Sequence, residues 1–153
     1  MIEIQVPDNY GLVVLGCGVL PFITNMYLGI PVMKARKRLD VPYPNLYATP
    51  GVHKHAEEFN RIQRGHQNFF EGLTNFTATA LLGGIKHPIT CAVSGVLFCA
   101  GSVMYSLGYS DMKLKVDTAR YDKYGHLAFI KMIGFFSALG SAISFAGSLQ
   151  KWW

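Results

Sequence analysis

Three stretches of this chain run for more than twenty residues with scarcely a polar break: Tyr10–Met33, Pro88–Tyr109 and Gly125–Leu149. The first two carry no charge, and the third carries one, Lys131. A hydrocarbon core about 30 Å thick takes about 20 helical residues, so each stretch is long enough to cross a membrane. Phe59–Ile85 is different: its first half is polar and its second half, Leu73–Ile85, is uncharged. The alternation predicts an all-α integral membrane protein. We expect a bundle of four transmembrane helices near 10–33, 59–85, 88–109 and 125–149, forming a single domain over 1–153. Pro21 and Pro31 are expected to kink the first helix, which membrane helices tolerate when neighbours re-satisfy the freed carbonyls. That helix is too long for a signal-peptide core and its charges follow it, so it is read as part of the mature protein.

The polar half of the second helix holds the candidate chemistry. At 100° per residue, Arg61, Arg64, Asn68 and Glu71 fall within roughly 80° of one helix face, and Asn75 continues the stripe one turn on. Ionisable groups at membrane depth are costly and read by default as functional. A stripe of both signs calls for a zwitterionic partner, either another helix or a small ligand. The duller readings are that Arg61 and Arg64 snorkel or pair with Glu57, Glu58 or Glu71, and that His66, on the opposite face, is interfacial.

Half of the residues are hydrophobic, 15% are charged and the mean hydropathy is +0.23, in keeping with a membrane setting. Of the 14 lysines and arginines, seven lie between Lys34 and Arg64 and four between Lys113 and Lys123. The positive-inside rule places the first and third loops together on the cytosolic side, with both termini opposite. The net charge of +5 is therefore mainly a topology signal. It gives little support to a nucleic-acid partner, whereas anionic headgroups suit Lys34–Arg38. Cys17, Cys91 and Cys99 all fall inside spans, an odd set that fits reduced, structural thiols and no metal. Gly140, Ser144 and Ser148 form a small-residue ridge suited to helix packing, and Trp152 with Trp153 reads as an interfacial anchor.

The run Phe59-Asn60-Arg61-Ile62-Gln63-Arg64-Gly65-His66-Gln67-Asn68, followed by Glu71, resembles the signature of the MAPEG family, the membrane-associated proteins in eicosanoid and glutathione metabolism. Other pieces match in order: Lys34-Ala35-Arg36-Lys37, Tyr43-Pro44 and Tyr47, Gly83-Gly84, His87-Pro88, Tyr105 and Gly108-Tyr109. The resemblance is clear from about Tyr10 to Tyr109 and thins beyond. It implies a four-helix subunit forming a homotrimer, with glutathione as co-substrate bound between neighbouring copies near the cytosolic surface. It further implies conjugation of glutathione to lipophilic electrophiles, or its use in reducing lipid hydroperoxides. Carried over by motif, Arg64, Asn68 and Glu71 hold glutathione, Tyr105 and Tyr109 meet it from the third helix, and Arg36 reaches a carboxylate.

These residue types suit that ligand. Arginine binds carboxylates through charge-assisted, often bidentate hydrogen bonds, and a glutamate suits an ammonium. A cysteine-type thiol has an ordinary pKa of about 8.5, and a nearby arginine favours the reactive thiolate. Arg120 is the only arginine in the third loop, Ser110–Tyr124, and is the expected catalytic residue, with Lys123 and Lys115 behind it. That loop is longer than the family's usual one. The alternative is therefore a non-catalytic accessory subunit that keeps the fold within a larger membrane complex. The endoplasmic reticulum is the first expectation for its membrane, with mitochondrial or other organelle membranes as alternatives.

Overall fold

The computed structural model describes residues 6–152. The expected anchor residue Trp153 and the first five residues of the expected domain lie outside them. Among the described residues the long elements are all helical: α1, Tyr10–Arg38; α2, Ala56–Gly83; α3, Pro88–Tyr109; and α4, Ile130–Gln150. A 3-10 turn, Gly125–Phe129, leads into α4, and a one-turn helix, Ala119–Asp122, interrupts the third loop.

α1 runs five residues past its expected end. Nothing in Lys34–Arg38 breaks a helix, and Arg36, Lys37 and Arg38 in its last turn complement the dipole there. Its irregularity lies at Val14–Val19, which winds as a π-helix just ahead of Pro21. Proline lacks the amide hydrogen that would close the preceding turn, and π turns relieve such gaps. α2 begins three residues early, with Glu57 and Glu58 in its first turn, and ends at Gly83 before Gly84. α3 starts at Pro88, a residue well suited to a first helical position, and keeps its expected bounds. α4 is shorter at its start than expected because the Gly125–Phe129 segment takes the tighter winding.

The main core lies between all four helices, with Val13, Cys17 and Leu28 of α1 buried against α2, α3 and α4. Gly65, Phe69, Phe76, Ala80 and Gly83 share one face of α2 and are all buried. Phe98 of α3 stacks on Phe76 at 4.2 Å between centroids and meets Phe69 at 5.6 Å. Backbones approach closely where side chains are absent: a Cβ on Gly95 would strike the Gly16 carbonyl across α1 and α3, and one on Gly134 would strike the Ser94 carbonyl across α3 and α4. The packing edge of α4 is thus Gly134, Ala138 and Ser141, all buried, rather than the expected Gly140–Ser144–Ser148 ridge. Gly140 faces open space, while Ser144 and Ser148 bond Lys86 and His87 of the α2–α3 link. Cys17, Cys91 and Cys99 are free and buried, with the Cys17 thiol donating to the Cys91 carbonyl.

Among the described residues three helices, Tyr10–Arg38, Pro88–Tyr109 and Leu127–Gln150, are long and apolar enough to cross a membrane, and the chain is an integral membrane protein. α2 has the length, but its polar stripe keeps it out of that set.

Candidate functional site

The stripe on α2 does not act as one unit. Arg61 is 3% exposed, and its guanidinium donates to three backbone carbonyls: Tyr109 at 2.7 Å, Asp111 at 2.8 Å and Leu114 at 3.0 Å. It ties the end of α3 and the start of the third loop to α2. It does not snorkel, and the expected ion pair with Glu57, at 3.7 Å, accompanies these three bonds.

Arg64 and Glu71, two turns apart, pair directly at 2.6 Å with their side chains 39% and 45% exposed. Arg64 also faces the phenols of Tyr47 from the first loop and Tyr105 from α3. Tyr105 and Tyr109 stack almost parallel, 5.7 Å apart and inclined by 7°. Arg120 reaches the same place from the one-turn helix: it interacts with Tyr105 and lies 5.0 Å above the Tyr121 ring. Its Nε is buried without a hydrogen-bond partner among the described residues. Close packing of Ala119 on Gly108, where a Cβ would come within 2.7 Å of the Ala119 carbonyl, sets that approach.

Asn68 turns its side chain to α4. Lys131 Nζ donates to Asn68 Oδ1 at 2.8 Å and to the Asn68 carbonyl at 3.0 Å. The same ammonium lies 5.3 Å from the Phe98 ring centre and within electrostatic reach of Glu71 and Arg64.

A cavity of about 620 Å³ opens beside this group, lined among others by Tyr47, Asn60, Arg61, Arg64, Tyr109 and Val116. Asn60 fixes its first-loop wall by pairing with the Ala48 backbone in both directions, at 2.7 Å and 2.9 Å, which carries Tyr47 to Arg64.

Of the residues singled out in the sequence, Arg64, Asn68, Glu71, Tyr105, Tyr109 and Arg120 therefore gather around one end of the bundle. Arg36 does not join them within one copy. Its Nη1 donates to the Val41 and Asn45 carbonyls, its guanidinium packs over Tyr43 and Phe59, and it lines a separate cavity. His66 bonds Asn25 of α1 at 2.9 Å, away from the stripe. Two contributors escaped the sequence reading. Asn60 gave no signal beyond its place in the motif. Lys131 did give one, as the single charge of an otherwise neutral span, and that alone marks a residue for function.

Arg64, Tyr47 and Tyr109 line the open volume, Glu71 pairs with Arg64, and Tyr105 and Arg120 meet close by, groups matched to a small ligand with carboxylate and ammonium groups. The Arg64–Glu71 pair is exposed enough to be worth no more than about 1 kcal/mol, so a zwitterion replacing it group for group meets little resistance.

Comparison with known proteins gives two matches. Residues 14–148 match the MAPEG family. Over 120 residues the chain is 30% identical to microsomal glutathione S-transferase 2 of Homo sapiens, covering 78% of this chain and 75% of that protein.

Proposed function

The chain belongs to the MAPEG family, and from that premise we propose that it is a glutathione-dependent transferase or peroxidase acting on lipophilic electrophiles or lipid hydroperoxides within the bilayer. We read the α2 run as resembling that of microsomal glutathione S-transferase 3. In this reading α2 crosses as a fourth span, and its polar face is covered by an adjacent copy in a homotrimer. Glu71, Thr74 and Asn75 are all exposed in the single chain, and no lipid can satisfy such a row. The separation of Arg36 from the other residues fits a site shared between copies, with Arg36 supplied by the neighbour. An endoplasmic reticulum membrane is the location we favour.

The observation that carries the proposal is the Arg64–Glu71 pair beside the 620 Å³ cavity. Glutathione has two carboxylates, one ammonium and one thiol. Arg64 takes a carboxylate and Glu71 the ammonium, Asn68 contributes its amide, and Tyr105 and Tyr109 supply phenols from α3. Arg120 stabilises the thiolate, so that its proton leaves to solvent at lower pH than from the free tripeptide. In conjugation the sulfur lone pair forms a bond to the electrophilic carbon as the leaving group departs with its electrons. In peroxide reduction the thiolate sulfur takes the terminal OH as a sulfenic acid, the O–O bond breaks, and the lipid leaves as an alkoxide that takes a proton from solvent to become an alcohol. A second glutathione then displaces water to give the disulfide.

Calorimetric titration of glutathione into the detergent-solubilised chain, with turnover of an aryl halide and a lipid hydroperoxide, tests this. Binding with turnover of either is expected, with binding lost in Arg64→Ala. Wild-type affinity in Arg64→Ala would remove the site assignment, and no binding by the wild type would favour the accessory-subunit alternative.

A further inference from the structure

We propose that Lys131 is a positioning residue for this site: by occupying the oxygen of the Asn68 carboxamide, it commits Asn68 to act on its ligand only as a hydrogen-bond donor. The inference rests on the glutathione reading above and concerns a residue on a different helix from the α2 stripe.

An asparagine beside a ligand can offer either its carbonyl oxygen or its NH2 group, and rotation of the carboxamide exchanges them. Here the exchange is blocked. Lys131 Nζ meets both Asn68 Oδ1 and the Asn68 backbone carbonyl. An ammonium has three donors and no acceptor, so Nδ2 cannot take the place of Oδ1. Among the described residues, no hydrogen bond of Asn68 Nδ2 within the chain competes with a ligand, and Nδ2 is not one of the buried atoms left without a partner. It is free to donate to a carboxylate or peptide carbonyl.

The packing is built for this contact. A Cβ on Gly101 would collide with the Lys131 backbone, so this glycine lets α4 come close to α3 at that residue. The Phe98 ring, 5.3 Å from Nζ, covers the ammonium on the core side with the negative face of an aromatic. A charge in a membrane bundle is retained where it has such partners, and its partner here is a residue of the site.

The test uses the solubilised full-length chain and four variants: Lys131→Met, Asn68→Leu, the double variant, and Asn68→Asp. Asn68→Asp keeps an acceptor for Lys131 while putting a charged acceptor oxygen where the NH2 donor stood. We expect Lys131→Met to weaken glutathione about tenfold and to raise the KM for glutathione while leaving kcat at saturation within about twofold. The double variant should bind no more weakly than Asn68→Leu. Asn68→Asp should melt no lower than the wild type and still lose affinity about tenfold. Wild-type affinity in Lys131→Met or in Asn68→Asp would overturn the proposal while leaving the glutathione site standing, as would losses that multiply in the double variant. Should Lys131→Met fail to fold, Lys131→Gln, which can bond either end of the carboxamide, is measured in its place, with the same loss expected and wild-type affinity again overturning the proposal. A wild type that binds no glutathione would overturn both this inference and the function it rests on.

Discussion

Arg61 and Arg64 are one turn apart on the same helix and have opposite fates. Helical periodicity places them on one face, but only the folded chain shows that the third loop returns over Arg61 and offers it three carbonyls, leaving Arg64 and Glu71 at the open edge. Their substitutions should therefore fail differently. Arg64→Ala and Glu71→Gln should each weaken glutathione by about 1.5–3 kcal/mol, the range for a charge-assisted contact, with little change in melting temperature. Arg61→Ala should lose at least about 2 kcal/mol of stability, because it leaves several carbonyls without a donor, and should weaken binding much less than Arg64→Ala. Calorimetry and thermal melting on the same preparations separate the two effects. Equal binding losses for Arg61→Ala and Arg64→Ala would erase the distinction drawn here.

The helices follow from hydropathy and punctuation: Pro88 opens α3, and the Gly83-Gly84 pair closes α2. Their contacts do not follow so directly, because a glycine reads the same whether it faces lipid, as Gly140 does in this single chain, or another backbone, as Gly95 does. Gly95→Leu should accordingly cost about 3 kcal/mol or more by forcing α1 from α3, while Gly140→Leu should leave the fold of a copy intact; denaturation in detergent would show the difference. The third loop was the least readable element, since its length and ambiguous register hid how Arg120 reaches Tyr105. The structure holds the loop by Arg61 and by the Lys123–Asp111 ion pair at 2.9 Å. The hydrogen bond from Lys123 holds the Asp111 carboxyl below its ordinary 3.8, and Asp111 in turn holds Lys123 above 10.5. A depressed carboxyl adds stability above its unfolded value, lost as pH falls through the folded one; a raised amine adds stability below its unfolded value, lost as pH rises through the folded one. Neither event falls near neutrality. Asp111→Asn should thus leave the pH profile of turnover between about pH 6 and 9 unshifted, whereas Arg120→Ala should move it upward. A profile displaced by Asp111→Asn would mean that the loop pair, rather than the thiol, sets the rate.

For the molecule as a whole, the distribution of lysine and arginine predicts that both basic loops share one side of the membrane, and these are the loops that wall the cavity beside α2. Single cysteines introduced at Thr49 and Asp117 in a background lacking the native cysteines should label from the same face; opposite labelling would undo the four-span arrangement. The proposed function requires this bundle to ionise a bound glutathione thiol, and ultraviolet thiolate absorbance of the solubilised chain, titrated with glutathione across pH, reads that directly. A saturable thiolate signal near neutral pH is expected in the wild type, titrating below the free thiol's value of about 8.5, absent in Arg64→Ala and shifted upward in Arg120→Ala. A wild type showing no such signal, or one in which bound glutathione titrates like the free tripeptide, would contradict it.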